Sequence, residues 1–382
     1  MAIVCAACSP GGSDGDVDPP PTVYKSYLYA SGYNLQAYSI DATTGALTQV
    51  TSPQSTWVNS DCFAVHPSGK FLISGNFTWH QFFVFAIDAA TGALTPMDGL
   101  HYDVSGGPRA IGLISGTIMV VANYALPGTI SVCSINSATG KITEVYEYIE
   151  YAWGAVGARS IAVHPSGRFF YVACEGLPGW AWTEVIQAFA VINAEIGEMA
   201  QIGDRPYLTG GSAPSFVTVD PSGKYLYGTN EGSDTVSAFA IDATTGALTA
   251  LEGSPFGTLG DRPMCVAVDP TGKFAYVANE GSDTISAFAI DATTGALTSL
   301  VPSPTYPTGR FPCFIAFDPS GKFIYVGNKN TFVSGDSIII SAFSMDPETG
   351  ALTALAGSPH GTNGARASSM AVISVAYTGR CP

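Results

Sequence analysis

The chain has 382 residues, only 12% of them charged, with 30 acidic against 15 basic side chains and a formal net charge of −15. That balance argues against nucleic acid and against anionic membrane surfaces as partners. No run of about 18 apolar residues occurs, so no segment reads as a bilayer-spanning helix.

Residues 1–22 read as a leader and tether, and 23–382 as one folded domain. Ala2-Ile3-Val4-Cys5-Ala6-Ala7-Cys8-Ser9 is similar to the end of a lipoprotein signal, with Cys8 the lipidated residue and the true start upstream. Pro10 to Pro21 is a flexible acidic linker. The expectation is an extracytoplasmic protein, secreted and lipid-anchored at the cell surface or in the periplasm, which meets a membrane only through its anchor. Cys5 and Cys8 form a Cys-x-x-Cys, but Ser9 stands where haem attachment needs histidine and there is no second pair for zinc. Asp14, Asp16 and Asp18 lack the glycine and glutamate of a calcium loop. No metal and no cofactor is implied.

From residue 23 onward one phrase, apolar-Asp-Ala-Thr-Thr-Gly-Ala-Leu with variants, recurs at Gly45, Gly92, Gly140, Gly197, Gly246, Gly295 and Gly350. The gaps of 47, 48, 57, 49, 49 and 55 residues match the period of a β-propeller. The first unit offers strands B, C and D, from Tyr27, Asn34 and Ala46, but no strand A. The clearest unit spans 262–300. In it, strand A is Met264–Val268, followed by a Pro-Thr-Gly turn; strand B is Phe274–Ala278, strand C Thr284–Ile290 and strand D Ala296–Leu300. Strand C is apolar or small on both sides, as a blade covered by two neighbours requires. After the last unit an extra strand A, Arg366–Val372, aligns with Arg262–Val268. The reading is therefore all-β: a seven-bladed β-propeller of four-stranded antiparallel blades, closed by the C-terminal strand completing blade 1.

Propeller geometry sends the A–B and C–D turns to one face and the B–C loops and D–A links to the channel mouth. Residues that repeat in the turns, such as Lys273 and Asp291, mark blade architecture. His66 and His164 fill a slot held by aspartate in other blades and read as turn residues. The mouth breaks the repeat. All five tryptophans fall there: Trp57, Trp79, Trp153, Trp180 and Trp182, with His80 beside Trp79. They form either a binding surface or a loop minicore. Five of eight arginines (Arg109, Arg159, Arg262, Arg310 and Arg366) lie at or before strand A. They form either an anion site or blade-to-blade salt bridges with partners such as Glu175, Glu231 and Glu280. Six residues before the turn proline stand Asp61, Arg159, Ser215, Met264 and Cys313, with Arg109 in the same slot of blade 3. Asp61, Arg109, Arg159, Glu175 and His80 are thus expected to converge with the tryptophans on one off-centre pocket. The cysteines at 62, 133, 174, 265, 313 and 381 read mostly as small buried residues, with one disulfide left open.

Asp-Pro-Ser-Gly-Lys-(Phe/Tyr)-x-Tyr-Val, Asn-Glu-Gly-Ser-Asp-Thr and Ala-Phe-x-Ile-Asp-x-x-Thr-Gly-Ala-Leu together resemble the seven-bladed lactonase family of the 6-phosphogluconolactonase type, and related surface propellers with Tyr-Val-Thr-Asn repeats. The resemblance runs from 23 to 376. It implies a mouth-face site of histidine, arginine and glutamate, matched at Glu231, Glu280, Arg262 and more loosely Glu175. The family's histidine directly before strand A is not matched. Three functions follow. The first is a propeller that binds a small anionic or carbohydrate ligand, or a protein partner, through Trp57, Asp61, Trp79, His80, Arg109, Trp153, Trp180 and Trp182. The alternative is a sugar lactonase using Glu175, Glu231, Arg159 and Arg262. The third is a surface protein that self-assembles.

Overall fold

The computed structural model describes residues 22–31, 35–51, 60–103, 106–124, 129–150, 157–176, 184–194, 197–300, 305–329, 337–359, 364–365 and 369–378. Those residues form strands and turns in seven sheets, each built on an antiparallel path of four strands. Six sheets follow chain order. In blade 1 the strands Thr22–Ser31, Leu35–Ile40 and Leu47–Val50 are completed by Ser369–Thr378, whose Val372 lies opposite Leu28. The seven A strands touch in cyclic order, the last against the first, so the ring is closed. Blades 4 to 7 exceed the expected four strands. Short segments at Tyr207–Leu208, Phe256–Gly257, Thr305–Pro307 and Gly364–Ala365 also pair with strand C.

Among the described residues there is no single core. Seven apolar clusters occur, and each joins two neighbouring blades: Leu28 and Ile340 across blades 1 and 7, for example, or Tyr227 and Val277 across 5 and 6. Strand B is covered on both faces. Phe274–Asn279 and its counterparts in blades 2, 4, 5 and 7 are buried at every position. The low content of charge follows from this double covering.

The repeated phrase has a physical cause at both ends. Asp291 accepts the backbone N–H groups of Thr293 and Thr294 at 2.9 and 2.8 Å, which folds the C–D turn. Gly295 closes it at φ 73° and lies against the preceding blade. A Cβ on Gly295 would stand 2.4 Å from the Tyr225 ring. The same collision occurs at Gly45 with Phe323, Gly92 with Tyr27, Gly246 with Phe169 and Gly350 with Phe274. Two residues along strand B, a buried tyrosine donates to the same glycine's carbonyl: Tyr227 to Gly295 at 2.8 Å, Tyr276 to Gly350 at 2.6 Å, Tyr325 to Gly45 at 2.8 Å. Tyr29 and Tyr171 do the same to Gly92 and Gly246. Burial, the largest cause, raises the pKa of all five phenols, so they remain donors. Ile73 and Val120 take this position in blades 2 and 3, which lack the bond.

His66 and His164 are turn residues, as expected. Each ring meets a serine within its turn through Nδ1, Ser68 and Ser166. Nε2 reaches the next blade, at Gly116 O (2.7 Å) and Gly223 O (2.9 Å). Asp220, Asp269 and Asp318 bond inside their own turns instead.

Replacing Gly295 by alanine combines a strained φ with a ring collision. It should cost about 2–5 kcal/mol in urea melts. Gly257→Ala, with nothing near its Cβ, should stay within about 0.5 kcal/mol. Hydrogen bonds from the backbone, and at Asp88 first from the Thr91 hydroxyl, hold the carboxyls of Asp41, Asp88, Asp242, Asp291 and Asp346 below their ordinary value. Depressed carboxylates stabilise the fold above their unfolded value of about 3.9, and this contribution is lost as pH falls through the folded values. The urea midpoint should therefore drop between pH 6 and pH 3; an unchanged midpoint would contradict this role for the turns.

Candidate functional site

Two columns of the repeat meet at the channel mouth. The first is a bulge near the start of strand A. In blades 3 to 7 the A–B register skips one residue: Arg109, Arg159, Ser215, Met264 and Cys313. A bulge re-aims a side chain. In blade 2, Asp61 stands just before strand A in the same slot.

The second column follows the end of strand B, where an asparagine recurs. Asn230 donates to Thr235 and Ser237, and Asn279 to Thr284 and Ser286, which ties the strand end to strand C. The next residue then donates its backbone N–H to the carbonyl just before strand A: Glu175 to Gly157, Glu231 to Ala213, Glu280 to Arg262 and Lys329 to Phe311, at 2.8–3.0 Å. Ala213, Arg262 and Phe311 adopt left-handed φ of 51–56° to present that carbonyl. Such a φ costs about 1–3 kcal/mol and needs support. Asp234 supplies it for Arg262, and Asp283 for Phe311, each accepting the backbone N–H at 2.7 Å. Read across blades 2 to 7, the second column is Phe77, Tyr124, Glu175, Glu231, Glu280 and Lys329.

Half of this rim is a chain of alternating charge. Arg159 Nε donates to Glu175 Oε2 at 2.6 Å, and its Nη2 lies 3.8 Å from Glu231. Arg262 joins Glu231 at 2.7 Å to Glu280 at 3.0 Å, and Lys329 meets Glu280 at 3.1 Å. Burial alone would lower the pKa of Arg159, but Glu175 and Glu231 outweigh it and raise the value. The hydrogen bond that Arg262 donates to Glu231 raises its own value. Arg159, Glu175, Glu231 and Arg262 line one open cleft of about 380 Å³ with Ala213, Gly232, Asp234 and Asp261. Arg262 keeps 54% of its side chain exposed. The cleft thus offers carboxylates beside guanidinium groups in reach of solvent. Chemically, it can move a proton and hold a developing negative charge.

The other half is aromatic. The Arg109 guanidinium sits over the Phe77 ring at 4.5 Å and the Tyr124 ring at 5.5 Å, and the two rings meet at 70°. Asp61 accepts the Phe77 N–H at 2.8 Å. Burial, opposed by that bond and by the Arg109 charge, raises the Asp61 pKa above the ordinary carboxylate value.

The four residues expected to carry catalysis, Arg159, Glu175, Glu231 and Arg262, come together in this cleft. Asp61 and Arg109 lie at the adjoining rim. His80 is exposed, edge-on to Phe77 at 6.5 Å. Trp79 is 55% exposed and packs edge-on to Phe83 of its own blade. Trp57, Trp153, Trp180, Trp182, Arg366 and Cys8 lie outside the described residues. Of the two roles open to the arginines, Arg159 and Arg262 take the ion pairs. Phe77, Tyr124 and Lys329 are rim residues that sequence reading missed; reading the position after strand B down the repeat would have found them. Cys62, Cys133, Cys174, Cys265 and Cys313 are buried thiols. Burial pushes the thiols of Cys133, Cys265 and Cys313 up to about 12, which leaves them inert.

Residues 62–268 and 260–368 match the family described as lactonase, 7-bladed beta-propeller. The chain belongs to this lactonase family. A 6-phosphogluconolactonase of Formosa agariphila is 30% identical over 223 residues, 55% of this chain and 61% of the relative. The match thus spans about three fifths of that relative's length. Among solved structures, a candidate 6-phosphogluconolactonase of Bacteroides fragilis superposes with a TM-score of 0.74 at 21% identity, covering 91% of this lactonase-family chain and 98% of that one. The periplasmic gluconolactonase of Pseudomonas aeruginosa gives 0.72 at 19% identity, covering 94% and 100%. At these identities the structures establish a shared fold.

If the charged rim of this lactonase propeller serves function and not architecture, cutting it should hardly affect stability. Arg262→Met should cost no more than about 1 kcal/mol in urea melts, because the half-exposed guanidinium is well solvated and its more buried partners Glu231 and Glu280 keep Arg159 and Lys329 as neighbours. A larger loss would make the rim a structural clasp.

Proposed function

We propose that this lactonase-family propeller hydrolyses a sugar lactone at its channel mouth. The observation that carries the reading is the Glu175–Arg159–Glu231–Arg262 chain lining an open cleft in a member of this family. Lactone opening adds water to the carbonyl carbon, places negative charge on the carbonyl oxygen and then breaks the bond to the ring oxygen, which takes a proton. Glu175 commits Oε2 to Arg159, while its Oε1 has no hydrogen bond among the described residues. That oxygen is our candidate to accept the proton of the attacking water and return it to the leaving ring oxygen. Arg262, with Arg159 behind it, would hold the oxyanion. Glu231, shared by both arginines, is the wrong carboxylate for a base and the right one for holding them in place. The sugar-lactone class is supported by the activities for which the Formosa and Pseudomonas proteins are named. Lipid anchoring at Cys8 and an extracytoplasmic location belong to the same proposal.

A pH-stat assay on gluconolactone and its 6-phosphate tests it. Opening should exceed the spontaneous rate, and Glu175→Gln should lower kcat by about 100-fold or more. Wild-type turnover equal to the uncatalysed background on both would overturn the proposal.

A further inference from the structure

We infer that Arg109, in the corner of Phe77 and Tyr124, is a subsite for a carboxylate group of the ligand, beside the cleft of the charged rim. For the substrate this rests on the lactone-hydrolysis reading and deepens it: the preferred lactone carries a free carboxylate. The subsite itself stands on its own geometry.

Arg159, Arg262 and Lys329 each have a glutamate within 3.1 Å. Arg109 has no ion pair among the described residues, and its buried Nε has no hydrogen-bond partner. A buried guanidinium donor left unpaired is costly unless something completes it. The neighbouring acid does not complete it: Asp61 accepts the backbone N–H of Phe77 and makes no ion pair with Arg109 among the described residues. The corner is built, not incidental. Phe77 can occupy it only because residue 107 is glycine: a Cβ there would stand 2.3 Å from the ring. Tyr124 lies 3.2 Å from the Cβ position of Gly157, and Glu175 Cβ lies 3.4 Å from that same point. Tyr124 therefore joins the Arg109 corner to the Arg159–Glu175 end of the cleft, close enough for one small molecule to touch both.

Geometry and charge select a carboxylate. Aromatic rings wall the guanidinium and favour a planar partner that meets its fork edge-on with two parallel hydrogen bonds. Arg109 is a single cation, and the charge of Asp61 bears on the same spot. A monoanion fits that balance; a phosphate dianion meets twice the repulsion from Asp61.

Three lactones of one hexose skeleton, differing only at C6, provide the test: gluconolactone with a hydroxymethyl, glucarolactone with a carboxylate and 6-phosphogluconolactone with a phosphate. Wild type should prefer glucarolactone in kcat/KM. The glucarolactone-to-gluconolactone ratio should fall about tenfold or more in Arg109→Gln, mainly through KM. Arg109→Lys keeps the stem and charge but loses the fork; it should fall in between, and it carries the comparison if the glutamine variant does not fold. A ratio unchanged by both variants overturns the subsite, and an Arg109-dependent preference for the phosphate overturns the carboxylate assignment. If wild type opens none of the three, the lactonase reading fails and the subsite is judged by calorimetry with glucuronate against glucose. Binding of glucuronate alone, lost in the Arg109 variants, supports it; no binding, or equal binding of both sugars, overturns it.

Discussion

The ring depends on the contact between the glycine of each C–D turn and strand B of the blade before it. A side chain at Gly45, Gly92, Gly246, Gly295 or Gly350 would enter an aromatic ring, so these turns press backbone against that ring at close range. Five buried tyrosines then reach the same glycines' carbonyls. At these five interfaces one blade is thereby fixed to the next at one point. Seven separate apolar clusters fill the interfaces. The last clasp, Tyr325 to Gly45, works with the strand Ser369–Thr378 to join the two ends of the chain.

That repetition makes a site possible on the opposite face. Because the blades repeat around a closed ring, one position of the repeat becomes one ring of side chains. The position after strand B alternates with the arginines before or within strand A, so carboxylate and guanidinium interleave from Glu175 to Lys329. No charge in this chain is isolated, yet several keep an edge toward solvent. Such pairs add little to stability. They hold one another in defined directions, as preorganised catalysis requires. The two blades without the tyrosine clasp, 2 and 3, are those whose rim residues turn aromatic around Arg109.

Much of the fold was legible from local chemistry. Asp-x-x-Thr-Gly encodes a turn through hydrogen bonds within five residues, so its recurrence gave the blade count. The missing first strand A and the surplus last one gave the closure. The site was legible in part. Glu175, Glu231, Arg159 and Arg262 were found because charge is rare in this chain. Their pairing was left open, since which arginine meets which glutamate depends on the spacing between blades, a long-range quantity. Phe77 and Tyr124 were missed for a different reason. An aromatic residue at a strand end looks like core, and only the structure shows that the Phe77 and Tyr124 rings fill the room left by Gly107 and Gly157. Trp79 drew attention by its rarity, yet it packs on Phe83 of its own blade.

The most direct test of the account is a crystal structure with a phosphonate analogue of the tetrahedral intermediate of lactone opening. The account predicts the analogue in the Arg159–Arg262 cleft, with its oxyanion on a guanidinium and Glu175 Oε1 within hydrogen-bond reach of the oxygen that stands for the attacking water. An analogue bound on the turn face, or at the mouth with Glu175 still turned away and both arginines unengaged, would contradict it.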